Sequence, residues 1–183
     1  MTRREFLRIA AGTSAPLAVS QLGWAAMLVP SGAHHAAHSR VLNLFNVHTG
    51  ESLHAVYWRN GRYLADALFR INYLLRDYRQ NRVKPIDTRL LDLLTTLRQR
   101  LHGAGPFQVL SGYRCPATNA MLHAETGGVS AHSLHMEGKA IDIMVPGRSL
   151  ARVRQVAWDM QRGGVGYYPG RFVHLDVGRV RWW

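Results

Sequence analysis

The chain has 183 residues, enough for one domain of ordinary size and an appendage, and its 47% hydrophobic and 19% charged composition is that of a globular protein. The net charge of +12 at pH 7 comes almost wholly from arginine, since only Lys84 and Lys139 are lysines, and it predicts a surface that attracts acidic polymers. No apolar run approaches the ~20 residues that cross a bilayer, which argues against a transmembrane segment, and the single cysteine, Cys115, excludes an internal disulfide and a cysteine-based zinc site.

The N-terminal sequence has the pattern of an export signal. Residues 2–7 read Thr-Arg-Arg-Glu-Phe-Leu and precede a mildly apolar stretch, as in a twin-arginine signal, and Ser31-Gly32-Ala33 offers the small residues at which a signal peptidase cuts. We therefore predict a signal peptide over 1–33, a flexible leader over 34–40 and a folded domain over 41–183. The signal implies export to the periplasm by the twin-arginine translocation machinery. An amphipathic N-terminal helix is the alternative interpretation.

Hydrophobic periodicity divides the domain into strands and helices. The predicted strands cover 41–47, 53–58, 107–113, 138–145, 164–168 and 172–177. The predicted helices cover 64–78, a segment from Asp87 or Thr88 to a stop at Gly103, 117–123 and 150–161. This order of elements predicts an α+β fold in which helices pack on one antiparallel sheet.

Two of the predicted strands place polar side chains on one face. In each of them alternate residues are apolar, so Asp142 in the first strand and His174 and Asp176 in the second lie opposite the core face. His135 precedes Asp142 by seven residues on a loop. Two imidazoles and one carboxylate, from His135, Asp142 and His174, would fill three positions of a tetrahedral zinc site and leave the fourth for water. A buried core histidine and a turn-stabilising aspartate are the alternative.

The same segments resemble the zinc D-Ala-D-Ala peptidase superfamily and, within it, the murein endopeptidase K-like branch. The resemblance rests on Ser133-x-His-x-x-Gly-x-Ala-x-Asp142, on Ser111–Arg114, and on the two motifs within 164–176. It implies a hedgehog/D-Ala-D-Ala-peptidase-like fold, a bound zinc ion and cleavage of peptide cross-links in peptidoglycan. By the resemblance, His135, Asp142 and His174 fall on the zinc ligands. Arg114 falls on the arginine that steadies the substrate or the developing oxyanion.

One position departs from the family pattern. Many relatives carry an acidic general base three residues before the last zinc histidine, where this chain has Arg171. Asp176 is the leading replacement because it shares a strand face with His174, and His132 and Glu137 follow because they flank His135. All three are alternatively groups that orient a zinc histidine. Two further candidate site residues are Ser133 and Tyr168.

We therefore expect a zinc-dependent metallopeptidase that acts as a peptidoglycan endopeptidase in the periplasm. Zinc would lower the pKa of a bound water, a carboxylate would take its proton, and Arg114 would stabilise the oxyanion. A non-catalytic zinc-containing module that binds peptidoglycan is the second interpretation, kept open by Arg171. Nucleic-acid binding has only the positive charge in its favour, because the chain lacks a recognised reader motif.

Overall fold

The structure, a computed structural model, describes residues 38–103 and 105–183, and the predicted signal peptide lies outside the described residues. The strands are β1 Ser39–Asn46, β2 Ser52–Arg59, β3 Arg62–Tyr63, β4 Phe107–Ser111, β5 Ala140–Met144, β6 Gly164–Tyr168, β7 Phe172–Asp176 and β8 Arg181–Trp182. The helices are α1 Ala65–Leu74, α2 Thr88–Leu101, α3 Pro116–Thr126 and α4 Leu150–Asp159, with a short 3₁₀ helix over Leu134–Glu137. None of the helices in the described part is long and apolar enough to cross a membrane. Because β1 begins at Ser39, the last two residues of the predicted leader belong to the sheet.

All eight strands form one sheet in the order β3-β2-β1-β4-β5-β7-β6-β8. The predicted α+β class is confirmed, but the prediction of a purely antiparallel sheet is wrong at two pairs, since β1 with β4 and β6 with β8 run parallel. The chain leaves β1 through β2 and two helices before it returns as β4, a connection long enough for the parallel arrangement. The sheet is therefore mixed and mostly antiparallel.

Helix α1 ends at Leu74, before the predicted end at residue 78, because Asp77 redirects the chain. The backbone of Asp77 exchanges hydrogen bonds of 2.9 and 3.1 Å with Arg82. Its carboxylate also accepts hydrogen bonds from the amides of Arg79 and Gln80. These bonds offer the backbone an alternative to a further helical turn.

Helix α2 ends at Leu101, and its C-terminal cap lies one residue before the stop that the sequence predicted. Asp87 caps the helix start by accepting from the amide of Arg89. At the other end the cap residue is His102, which takes the left-handed conformation with φ of 48°, one residue before the predicted stop at Gly103. The prediction for this helix stop is therefore wrong by one residue.

Strand β4 ends at Ser111 and not at the predicted residue 113, because Gly112 makes a close backbone contact. A Cβ atom at this position would lie 2.4 Å from the carbonyl oxygen of Leu75, so only glycine fits. The amide of Tyr113 donates to that same carbonyl at 2.8 Å. This contact leaves the carbonyl of Gly112 free to accept a hydrogen bond from another element.

The apolar core lies between the sheet and helices α2 and α4. Both helices contact the sheet and each other. Ile141 and Ile143 of β5 and Val173 and Leu175 of β7 are fully or almost fully buried in this core. Because side chains alternate along a strand, Asp142 and His174 point to the opposite face of the sheet.

Candidate metal centre and the cavity beside it

Three donor atoms converge on the polar face of β5 and β7. The Nε2 atom of His135 lies 3.2 Å from Oδ1 of Asp142 and 3.1 Å from Nδ1 of His174. The third side of the triangle, from Nδ1 of His174 to Oδ1 of Asp142, is 2.8 Å. All three residues are buried. Three ligand atoms separated in this way suit one small metal ion placed between them.

The outer nitrogens of both imidazoles already have partners. Nδ1 of His135 lies 2.6 Å from the carbonyl oxygen of Gly112, which can only accept, so this nitrogen carries a proton. Nε2 of His174 lies 3.2 Å from Oδ2 of Asp176 and donates to that carboxylate. Nε2 of His135 and Nδ1 of His174 are the nitrogens that face the Asp142 oxygen, and in the tautomers protonated on the outer nitrogens both offer a lone pair to a cation. A metal cation is one partner that such a set of ligand atoms can bind.

Strand register and a short helix bring these residues together. Asp142 of β5 and His174 of β7 are direct partners in the antiparallel ladder. His135 lies in the 3₁₀ helix, whose start is capped by the Ser133 hydroxyl accepting from the amide of His135 at 3.4 Å. Gly138 ends that helix with φ of 67°, and a Cβ atom there would lie 2.5 Å from the carbonyl oxygen of Pro85. Local turn chemistry therefore fixes His135 relative to the sheet.

The surroundings shift the pKa values of the two imidazoles and of the Asp142 carboxylate. Burial lowers the pKa of His135 despite the nearby Asp142 carboxylate. Burial opposes the charge on His174 too, but hydrogen bonds with Asp142 and Asp176 outweigh it and raise the pKa of His174. For Asp142 the two histidines overcome the effect of burial and hold its pKa well below the usual range. Asp142 is thus an ionised carboxylate next to a neutral His135.

Asp176 is fully buried behind His174 and accepts hydrogen bonds from five donors. Oδ1 accepts from the amides of Gly164 and Gly178 at 3.0 and 2.8 Å and from Arg181 at 3.1 Å. Oδ2 accepts from Arg181 at 2.7 Å and from His174. Burial would raise the pKa of Asp176, but these hydrogen bonds, that of His174 first, lower it. The carboxylate does not line the cavity described below and lies 3.2 Å from Nε2 of His174.

Arg114 reaches the centre from the loop after β4. Its guanidinium donates to the hydroxyl of Ser133 at 3.2 Å, while its buried Nε has no hydrogen-bond partner among the described residues. Burial lowers the pKa of Arg114, and Asp142 partly offsets that effect. The backbone is anchored nearby because the amide of Cys115 donates to Asp77 at 2.8 Å. Arg114 is thus a buried cation with unused hydrogen-bonding capacity.

A cavity of about 570 Å³ opens in front of the donor atoms. Asp142, His174, Arg114, Ser133 and Tyr168 line it, all of them residues that the sequence singled out. Of the two remaining candidates for the general base, His132 lines the cavity and Glu137 does not. Glu137 instead pairs with Lys139 at 2.7 Å on the surface.

The cavity is also lined by residues that sequence reasoning passed over or left undecided. They include His48 on the turn between β1 and β2, Arg79 after α1, and Trp183 after β8. His48 stacks on Tyr78, and the guanidinium of Arg79 lies over the same ring. No local motif marks these positions, because they reach the cavity only through long-range packing of elements distant in sequence. The excess of arginine was the one available signal for Arg79.

Comparison with known proteins gives one consistent result. Residues 34–183 match the family described as peptidoglycan L,D-endopeptidase MepK. The peptidoglycan L,D-endopeptidase MepK of Escherichia coli strain K12 is 43% identical to the chain over 145 residues, which cover 79% of this chain and 80% of the relative. The probable peptidoglycan L,D-endopeptidase MepK of Haemophilus influenzae is 36% identical over 146 residues, covering 79% of this chain and 78% of the relative.

Proposed function

Because the chain belongs to the peptidoglycan L,D-endopeptidase MepK family, we propose that it hydrolyses peptide cross-links of peptidoglycan at a zinc ion held by His135, Asp142 and His174. Its endopeptidase activity on peptidoglycan follows from 43% identity over most of both chains. The family and the mixed sheet support a hedgehog/D-Ala-D-Ala-peptidase-like fold. The observation that carries the zinc proposal is the triangle of three converging ligand atoms, from His135, Asp142 and His174.

The chemistry of the donor set favours zinc over the common alkaline-earth ions. Two imidazole nitrogens and one carboxylate oxygen suit zinc, whereas magnesium and calcium prefer oxygen ligands throughout. His135 and His174 would bind through Nε2 and Nδ1, the nitrogens left free by Gly112 and Asp176. When bound, zinc polarises the scissile carbonyl and lowers the pKa of a water molecule.

The protein residues supply the remaining steps of the hydrolysis. Arg114, whose side chain lines the cavity, donates to the carbonyl oxygen of the scissile amide and stabilises the charge that develops there. The imidazole of His132 accepts the proton of the attacking water and delivers it to the leaving nitrogen. His132 takes this role because it lines the cavity, while Asp176 is enclosed by five donors and Glu137 lies outside. Asp176 holds His174 in the tautomer that binds metal.

The stereochemistry in the relatives' name supports one kind of cross-link. An L,D bond joins the carboxyl group of an L centre to the amine of a D centre. A cross-link between two diaminopimelates has this arrangement, whereas a cross-link from D-alanine to diaminopimelate joins two D centres. We therefore assign the bond between two diaminopimelates as the preferred substrate.

The charge of the cavity matches the groups that such a substrate carries. Next to the scissile nitrogen, the diaminopimelate of the leaving group keeps a free carboxylate on its D carbon. Arg79 and Arg171 line the cavity without a carboxylate partner among the described residues, whereas Arg181 is paired with Asp176. Of the carboxylates, only that of Asp142, a metal ligand, lines the same cavity. Arg171, in place of an acidic residue, thus binds the substrate carboxylate.

This carboxylate contact has a direct test. Replacing Arg171 by Gln should raise KM for a diaminopimelate-linked dimer by about 3- to 10-fold, because solvent screening at this exposed position reduces an ion pair to about the strength of an ordinary hydrogen bond. Amidating the substrate carboxylate should remove the difference between the two proteins. An undiminished difference on the amidated substrate would show that Arg171 acts elsewhere.

The N-terminal residues support export. The family match begins at residue 34, directly after the predicted cleavage near Ala33. Peptidoglycan lies outside the cytoplasmic membrane, so an enzyme that cleaves it must leave the cytoplasm. We therefore assign residues 1–33 as a twin-arginine signal and the periplasm as the site of action.

Purified protein and defined muropeptide dimers test the function. One dimer is joined through two diaminopimelates and the other through D-alanine and diaminopimelate, and the products are identified by mass spectrometry. We expect cleavage of the first dimer, loss of cleavage with a chelator, and recovery with zinc. Retention of the protein on sacculi without hydrolysis of either dimer would instead support the binding-module interpretation.

A further inference from the structure

The indole of Trp183 is built into the wall of the metal centre. Its ring centroid lies 5.3 Å from that of His174, and its backbone exchanges hydrogen bonds with Val165 and Tyr167 of β6. Gly166 makes room for the indole, because a Cβ atom there would lie 2.8 Å from two of its ring carbons. The guanidinium of Arg181 covers the ring at 4.9 Å. Trp183 therefore has one defined position beside the metal ligand.

The indole nitrogen has a specific partner in the cavity. It lies 3.1 Å from the hydroxyl oxygen of Tyr168. An indole N–H can only donate, so the Tyr168 oxygen accepts and its own proton is left for another acceptor. No described residue accepts that proton. The Tyr168 ring packs against Phe172 at 4.5 Å, and both residues line the cavity.

We propose that Trp183 is a positioning residue that directs the Tyr168 hydroxyl proton into the cavity, where this hydroxyl donates to the carbonyl oxygen of the scissile amide. The inference rests on the proposed hydrolytic function. A donor placed before the reaction gains strength as negative charge grows on that oxygen. Tyr168 then acts together with Arg114 on the same atom. Trp183 itself does not touch the substrate carbonyl.

Two conservative substitutions separate the roles. Tyr168→Phe removes only the hydroxyl, and we expect kcat to fall by about 100-fold with little change in KM, the low end for a lost oxyanion donor. Trp183→Phe keeps an aromatic wall and removes the N–H, and we expect kcat to fall by about 3- to 10-fold. Trp182→Phe is the matched control, because Trp182 is 67% exposed and packs against Trp158 outside the cavity.

The double variant decides whether Trp183 acts through Tyr168. If it does, adding Trp183→Phe to Tyr168→Phe causes no further loss of kcat. An NMR measurement on metal-free protein gives an independent readout, since Tyr168→Phe should shift the indole N–H resonance of Trp183 and leave that of Trp182 in place. Zinc content should be the same in all variants.

Several results would overturn the inference. If Trp183→Phe lowers kcat equally with and without the Tyr168 hydroxyl, Trp183 does not act through Tyr168 and only contributes packing to the cavity wall. A change confined to KM in Tyr168→Phe would place the hydroxyl away from the scissile carbonyl. Loss of zinc from Trp183→Phe would assign the indole to supporting His174. Failure of the proposed function is a distinct result, because the unsubstituted protein would then release no muropeptide in a metal-dependent manner.

Discussion

Replacement of Asp176 by Asn tests the assignment of this carboxylate as a group that orients a metal ligand. The Asp176 carboxylate is the acceptor in all five of its hydrogen bonds. In either orientation of an Asn amide group, its NH₂ would therefore face one or more of these donors and could not accept from them. If the amide nitrogen faces His174, the imidazole must accept at Nε2 and carry its proton on Nδ1. That proton occupies the position of the metal bond. The substitution should therefore weaken zinc binding by about 10- to 100-fold.

The same substitution should lower stability by a predictable amount. Removing one partner of a fully buried ion pair costs about 3–5 kcal/mol. Asp176 is fully buried, but the Arg181 side chain is 31% exposed. Water can therefore solvate the guanidinium of Arg181 in part when its carboxylate partner is removed. We therefore expect the free energy of unfolding to fall by about 2–3 kcal/mol. Asp159→Asn removes the same charge from an exposed position on α4 and serves as the control.

The decisive assay measures muropeptide release against zinc concentration. In Asp176→Asn the curve should move to higher zinc, and activity should return to near the original rate at saturation. A rate that stays about 100-fold low at saturating zinc would make Asp176 the proton acceptor and refute the orienting role. Unchanged activity at limiting zinc would refute both roles.

Three further predictions concern the export signal, the binding of zinc, and Asp77, which anchors the loop that carries Arg114. Replacing Arg3 and Arg4 by Lys should block export, because ammonium groups do not reproduce the paired guanidinium groups, and the unprocessed protein should then remain in the cytoplasmic fraction. Zinc at about 100 times its Kd should raise the free energy of unfolding by about 2.7 kcal/mol, and an equal gain in His135→Ala would argue against the site. For Asp77, hydrogen bonds, that of Thr118 first, overcome burial and lower the pKa below 3.8, so its contribution to stability is present above that pH and lost below it. Asp77→Asn should thus cost about 1–3 kcal/mol in urea unfolding at pH 7, and the difference should close as the pH falls below about 4.

The sequence by itself determined which residues face the candidate metal centre. The period of two along a strand is local, and it placed His174 and Asp176 on the face opposite the core before any pairing was known. The structure pairs Asp142 with His174 in the register that this alternation requires. His135 was proposed from its place on a loop seven residues before Asp142, and the motif resemblance pointed to the same residue, but the direction of a side chain on a loop has no such period. The 3₁₀ helix and its Ser133 cap supply that direction in the structure.

The tertiary structure alone decided the surroundings of each polar residue there. From the sequence Asp176 was the leading candidate for the general base and His132 came after it, but in the structure Gly164, Gly178 and Arg181 enclose Asp176, whereas His132 lines the cavity. Their difference depends on which strands pair, and β8 was not foreseen because two residues carry no detectable alternation. Trp183 reaches His174 only because β8 pairs with β6. Periodicity reports the environment of a residue within its own element, whereas the partner of a buried polar group is set by contacts between elements far apart in the chain.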